Sequence, residues 1–171
     1  QVTNFAQGVL LLDFGDFVGY ARSLDTVITG NTIRTDATSL EGVFAYFQRS
    51  TVVRDNTILG AGPAGVRIYG GPGVVRDNEI RGTGVGVRLQ GASGVLVKGN
   101  EIKHSGQVGI VVDAIYWDGV LVAASTNNLV VSNEIHGSGI LDLYWDGLGD
   151  GNVWTRNECR TSDPPGLCSD H

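Results

Sequence analysis

The chain has 171 residues, 26 of them glycine, with 42% apolar residues, 18% charged residues and a formal net charge of −6. A single domain of that length buries enough apolar side chains to fold without a metal, a disulfide or any other required cofactor. Its apolar runs are too short for a membrane-spanning helix and its apolar content is too high for disorder, while its acidic balance would repel phosphates. These features argue against membrane insertion, an unfolded tail and nucleic-acid binding. The lack of methionine and of a charged-then-apolar leader suggests a mature chain whose leader was removed, or an internal fragment. The expected class is one glycine-rich domain over 1–171, extracellular or on the cell surface.

Residues 1–26 read as an incomplete opening. Asn4-Phe5 followed by Gly8-Val9-Leu10-Leu11-Leu12 is a partial version of a phrase that becomes regular from residue 27. No polar cap precedes Gln1, and an open solenoid end exposes unpaired backbone. Two expectations stay open here: upstream rungs of a longer protein of which this is the C-terminal part, or another element that covers the end.

Residues 27–159 are built on Asn-x-Ile. It occurs at Asn31, Asn56, Asn78, Asn100 and Asn133, with Asn157-Glu158-Cys159 as a sixth copy, at spacings of 25, 22, 22, 33 and 24 residues. A short apolar strand precedes each asparagine, such as Thr51-Val52-Val53-Arg54. A glycine-rich turn and a second strand follow, starting at Gly42, Gly65, Gly86, Gly109 and Gly139. No helical period is sustained, and apolar and polar residues alternate within the runs. A unit of about 22 residues cannot bury its own apolar face, so successive units must stack roughly 4.8 Å apart into a coil of parallel sheets. The stacked asparagine amides, which both donate and accept, would then hydrogen-bond along the axis. The long 33-residue interval predicts an insertion within 113–128.

Residues 160–171 form the closing tail. Cys159 and Cys168 bracket Pro164, Pro165 and Gly166, a turn that suits a disulfide clipping the last rung shut, with two free thiols as the alternative.

The Asn-x-Ile turn followed by Gly-Val/Ile-x-Val/Leu resembles the right-handed parallel β-helix repeat family over about residues 27–159. The resemblance implies an all-β, single-stranded, right-handed parallel β-helix (solenoid) of about six to seven rungs with a C-terminal disulfide-closed loop. The terminal cysteine loop is similar to the endings of secreted members.

Polar interest concentrates in the last third. Residues 1–112 carry ten basic and nine acidic side chains, whereas 113–171 carry two and nine. Asp113-Ala114-Ile115-Tyr116-Trp117-Asp118-Gly119 is echoed by Asp142-Leu143-Tyr144-Trp145-Asp146-Gly147, with Asp150 close behind. If both phrases leave one strand of adjacent rungs, Asp113, Asp118, Asp142, Asp146 and Asp150 could hold Ca²⁺, and Trp117 and Trp145 could stack on sugars. The competing expectation is that the tryptophans pack on the scaffold and the Asp-Gly pairs turn the chain.

Alternation on the second strand places Phe44, Arg67, Arg88 and Val111 in one outward column, and Tyr46, Tyr69, Gln90 and Asp113 in the next. With Arg67 and Arg88 as forks for uronate carboxylates, Tyr46, Arg67, Tyr69, Arg88, Trp117 and Trp145 are the candidate glycan contacts; an ordinary solvated face is the alternative. A ladder of Glu79, Glu101, Glu134 and Glu158 is expected to be relieved by Arg81, Lys103, Arg54, Arg76 and Lys98. His104 and His136 fall in turns and read as solvated. Gly60–Gly65 has the spacing of a dinucleotide loop but no following helix.

Two functions follow. The first is a non-catalytic extracellular module that binds a polysaccharide or packs with copies of itself or upstream rungs. The alternative is a polysaccharide lyase or C5-epimerase acting on a uronate glycan, for which Asp113, Asp142, Tyr116, Tyr144, His136 and Arg88 are the candidate catalytic groups. The phrases that the resemblance would supply for an enzyme, Asp-Pro-His, Gly-His-Gly, Asn-Thr-Asp and Arg-x-Pro-x-x-Arg, are missing. That favours the module.

Overall fold

The computed structural model describes residues 2–3, 9–12, 25–60 and 62–169. The expectations for Asn4-Phe5, for Gly8 and for most of the opening segment lie outside the described residues. The stretch from Gly73 to Gln90 shows the repeating unit. Strand Gly73–Arg76 leads through Asp77-Asn78 to strand Glu79–Arg81, and a glycine corner leads on to strand Val85–Gln90. Equivalent strands of successive turns pair in parallel, giving a first sheet of six strands, a second of six and a third of seven. About six turns stack in this way, with no helix among the described residues.

The corner before each asparagine is tight. Gly30, Asp55, Asp77, Gly99, Ser132 and Arg156 all take a positive φ there, between 52° and 67°. Glycine adopts that conformation freely and aspartate tolerates it. The asparagines that follow form the expected ladder. Asn31, Asn56, Asn78, Asn100 and Asn133 each donate their side-chain amide to the Oδ1 of the next asparagine, ending at Asn157, over 2.9–3.2 Å. Each also donates to a backbone carbonyl, so the buried amides of Asn56, Asn78, Asn100 and Asn133 are fully engaged.

Apolar side chains stack in columns inside the coil. The second sheet contributes Ile33, Ile58, Ile80, Ile102 and Ile135, each with no exposed surface. Cys159 takes the sixth place in that column. Its disulfide to Cys168 brings Leu167 and Cys168 against the end of the core. The cysteine loop thus closes the last turn, and the open choice between disulfide and free thiols resolves as a disulfide.

A second ladder is made of glycine. Gly42, Gly65, Gly86 and Gly109 lie in register where the third sheet begins. A Cβ on Gly86 would come within 2.5 Å of both the Gly109 carbonyl and the Ile102 side chain. The repeated Gly-Val/Ile phrase therefore exists because the backbone passes closely over an isoleucine. Gly139 departs from the expectation. It lies in the corner, where its N–H donates to Ser105 O, and the strand begins instead at Leu141.

Charge is arranged differently on two outward faces. On the second sheet Arg81 bridges Glu79 and Glu101, Lys103 pairs with Glu101 and reaches Glu134, and His136 lies 3.2 Å from Glu134. Arg54 and Arg76 do not serve the glutamates as expected, because Asp55 and Asp77 in the adjoining corner capture them. The first sheet also presents an outward aliphatic column of Val27, Val52, Val74, Leu96, Leu129 and Val153.

Candidate functional site

The insertion is a β-hairpin that stands out from the coil between the third and first sheets. Its strands, Ile115–Trp117 and Val120–Ala123, pair antiparallel across Asp118-Gly119. Both turn residues have positive φ, 49° and 76°, as a two-residue hairpin turn requires. The base is anchored. Ile115 is buried against Gly91, and the buried Ser125 hydroxyl donates to Asp113 O while accepting from Ala92 N. The arm is not covered: Trp117 is 79% exposed, Val120 67% and Tyr116 54%.

Between this arm and the third sheet lies a cleft of about 570 Å³, lined by Arg88, Gln90, Asp113, Ala114, Tyr116, Tyr144, Asp146 and Leu148. Four of the six candidate catalytic residues, Arg88, Asp113, Tyr116 and Tyr144, meet here. Arg88 reaches across to the next turn and grips Asp113 with two nitrogens, Nε lying 3.2 Å from Oδ1 and the second nitrogen bonding Oδ2. Asp146 accepts from Ala114 N at 2.7 Å and from Leu148 N at 2.9 Å, which fixes the cleft floor.

The other two candidates are elsewhere. The two Asp phrases do lie on adjacent turns, but they align four residues out of step. Val112 pairs with Trp145, so Asp113 stands beside Asp146, while Asp142 falls opposite Gly109. Asp142 therefore occupies the end of the glycine ladder. It is 4% exposed, and its Oδ2 accepts from the backbone of Arg160 and Thr161. His136 lines a separate cleft of about 310 Å³ with Lys103, His104, Gly137 and Arg160.

Of the five aspartates expected to form a cation site, the register brings Asp113 and Asp146 side by side and places Asp142 and Asp118 elsewhere. Asp142 is buried under the closing loop, Asp146 is held by two amides, and Asp118 sits at the hairpin tip. Among the described residues no three His, Cys, Asp or Glu side chains are grouped so as to hold a metal ion.

The candidate glycan contacts divide in a similar way. Trp145 points inward, packs against the core and donates its indole N–H to Leu148 O. It follows the scaffold expectation, whereas Trp117 does not. On the outward columns the register is as expected, with Phe44, Arg67, Arg88 and Val111 in line beside Tyr46, Tyr69, Gln90 and Asp113. Val111, though outward, is covered by its neighbours Val108 and Tyr144. Tyr46 and Tyr69 stack on each other at 4.9 Å and 14°. Arg67 lies over the Phe44 and Tyr69 rings and bonds Glu41 at 3.0 Å and Gln90. These rings spend their faces on one another. Burial, reinforced by the neighbouring Tyr46, raises the Tyr69 phenol above its usual range, and Arg67 offsets part of that.

Sequence reading missed a second, shorter asparagine ladder. Asn128 donates its amide to Asn152 Oδ1 at 2.9 Å, and its own Oδ1 accepts from Val95 N, so it ties the hairpin's return to the turns on either side. The signal was present, since Asn128 and Asn152 are 24 residues apart, as are Asn133 and Asn157.

Comparison with curated proteins and with solved structures returns no match. A family model for the right-handed β-helix region matches residues 17–161. With three parallel sheets, an internal asparagine ladder and a family match over most of its length, the chain belongs to the right-handed β-helix family.

Proposed function

We propose that this chain is a non-catalytic, glycan-binding β-helix module that works outside the reducing cytosol. The observation that carries the reading is the cleft between hairpin and third sheet. It joins two phenols, a carboxamide and two carboxylates to the apolar surface of Leu148, a mixture that suits a sugar's hydroxyls and its apolar ring faces. Both carboxylates already hold structural partners, Arg88 for Asp113 and two backbone amides for Asp146, so neither stands ready as a general base. The disulfide supports an oxidising compartment.

Tryptophan fluorescence tests this reading. Trp145 donates its indole N–H to the carbonyl of Leu148, which lines the cleft, and Trp117 stands next to Tyr116 on the arm, so a glycan seated in the cleft should change the tryptophan emission. Saturable change across a panel of polysaccharides, lost in Tyr116→Ala, is the expected result. No change with any glycan, confirmed by calorimetry, overturns it.

One observation favours a second reading. Arg88, Tyr116 and Tyr144 share the cleft, and a uronate lyase or C5-epimerase needs a cation and proton-transfer groups at such a place. Ultraviolet absorbance of an unsaturated uronate product, lost in Tyr144→Phe, would establish the lyase in place of the module.

A further inference from the structure

Resting on the glycan-binding reading, we infer that the cleft selects an uncharged polysaccharide and discriminates against uronates. Arginines on a β-helix face invite the opposite conclusion, since a guanidinium fork matches a carboxylate. In this protein both forks are closed. Arg67 is engaged by Glu41, Gln90 and two aromatic rings, and Arg88 holds both oxygens of Asp113. Across the outward face and its cleft, Arg67 and Arg88 stand against Glu41, Asp113, Asp146 and Asp163, two cations to four carboxylates.

A uronate entering here would meet Arg88 with its charge already paired and two of its donors on Asp113. Taking those two donors leaves the number of charge-assisted bonds unchanged and frees Asp113 beside Asp146, and using the remaining donors still sets a third anion beside these two. Like charges so placed oppose binding. A neutral pyranose asks for no exchange. Asp113 and Asp146 each accept two hydrogen bonds from the protein, and a carboxylate has about four lone-pair positions, so both can still accept from sugar hydroxyls. Tyr116, Tyr144 and Leu148 supply apolar surface for the C–H faces of the ring.

The test uses the whole chain with matched pairs: oligosaccharides of alginate, pectate and hyaluronan, each beside its carboxyl-reduced counterpart. Affinity is read by tryptophan fluorescence and calorimetry at low and moderate salt. The expected result is tighter binding of the reduced member of a pair, by about tenfold, with the gap narrowing as salt screens the repulsion. Asp113→Asn, which releases Arg88, should bring the two members together. Tighter binding of the acidic member overturns the inference and leaves the glycan-binding reading standing. Binding of neither member in any pair removes that reading and the inference with it. An unchanged ratio in Asp113→Asn, with circular dichroism showing an intact fold, overturns the Arg88–Asp113 pair as the selector.

Discussion

The side-chain amide of Asn78 donates to Oδ1 of Asn100 at 2.9 Å, and the same oxygen accepts the backbone N–H of Asn78 at 3.1 Å. One carbonyl of the ladder thus satisfies two buried donors of the turn behind it. The Asn78 oxygen does the same for Asn56, and its nitrogen also reaches Val53 O and Arg76 O. Each internal asparagine works as a joint between three strands.

Removing that joint should cost more inside the ladder than at its edge. Asn78→Ala strands the Asn56 backbone N–H and the Val53 carbonyl in the core, and is expected to lower stability by about 3 kcal/mol. Asn31 is half-buried and donates without serving a turn behind it among the described residues, so Asn31→Ala should cost about 1 kcal/mol. Urea unfolding of the two variants measures the difference. Equal losses would mean that the ladder does not act through buried donors.

Glycine positions should also separate by available space. Gly86→Ala forces a Cβ against backbone and isoleucine at 2.5 Å and is expected to destabilise by about 3 kcal/mol. Gly94 has a positive φ of 72° but nothing within 4 Å, so Gly94→Ala should cost only about 1 kcal/mol of backbone strain. Thermal melts of both would rank them. A milder Gly86→Ala would show that the third sheet can lift away from the second.

The disulfide should protect the last turn before it protects the rest. Cys159 and Cys168 are nine residues apart, and closing so short a loop stabilises by about 2–3 kcal/mol. Reduction, or Cys168→Ser, should uncover Leu167 and speed hydrogen exchange first at Leu143 and Trp145, with the central turns following later. Uniform loss of protection across all turns would contradict a local cap.

Two groups predict the pH response. A hydrogen bond from Lys103, aided by the Lys103 and Arg81 charges, holds the Glu101 carboxyl below its usual 4.5. Its contribution is therefore present above that value and is lost as acid protonates it in the folded state. Tyr69 runs the other way, because its raised phenol favours the neutral form. Its contribution is present below pH 10 and is lost as alkali ionises it. Glu101→Gln should flatten the acid limb of a stability–pH curve, and spectroscopic titration should find one tyrosine ionising later than the rest. An unchanged acid limb, or uniform tyrosine ionisation, would contradict these assignments.

The coil was legible in the sequence because a solenoid is a local, repeated solution. Asn-x-Ile at near-constant spacing states which residue stacks on which, and the columns of Ile58, Ile80 and Ile102 follow by counting. The outward columns through Arg67 and Arg88 and the hairpin's location were equally countable. Counting on from Asn100 and Asn133, 33 residues apart, also sets Asp113 beside Asp146, but likeness between phrases pointed elsewhere. Matching the two Asp phrases by likeness put Asp142 beside Asp113, yet backbone pairing puts Asp146 there and sends Asp142 to the glycine corner. Hydrogen bonding between strands sets register, and a four-residue slip is invisible in a phrase that repeats. Only tertiary structure could show that Arg88 and Arg67 are already held by neighbouring turns, because a side chain's partner depends on which turn lies beside it and not on its own sequence neighbours.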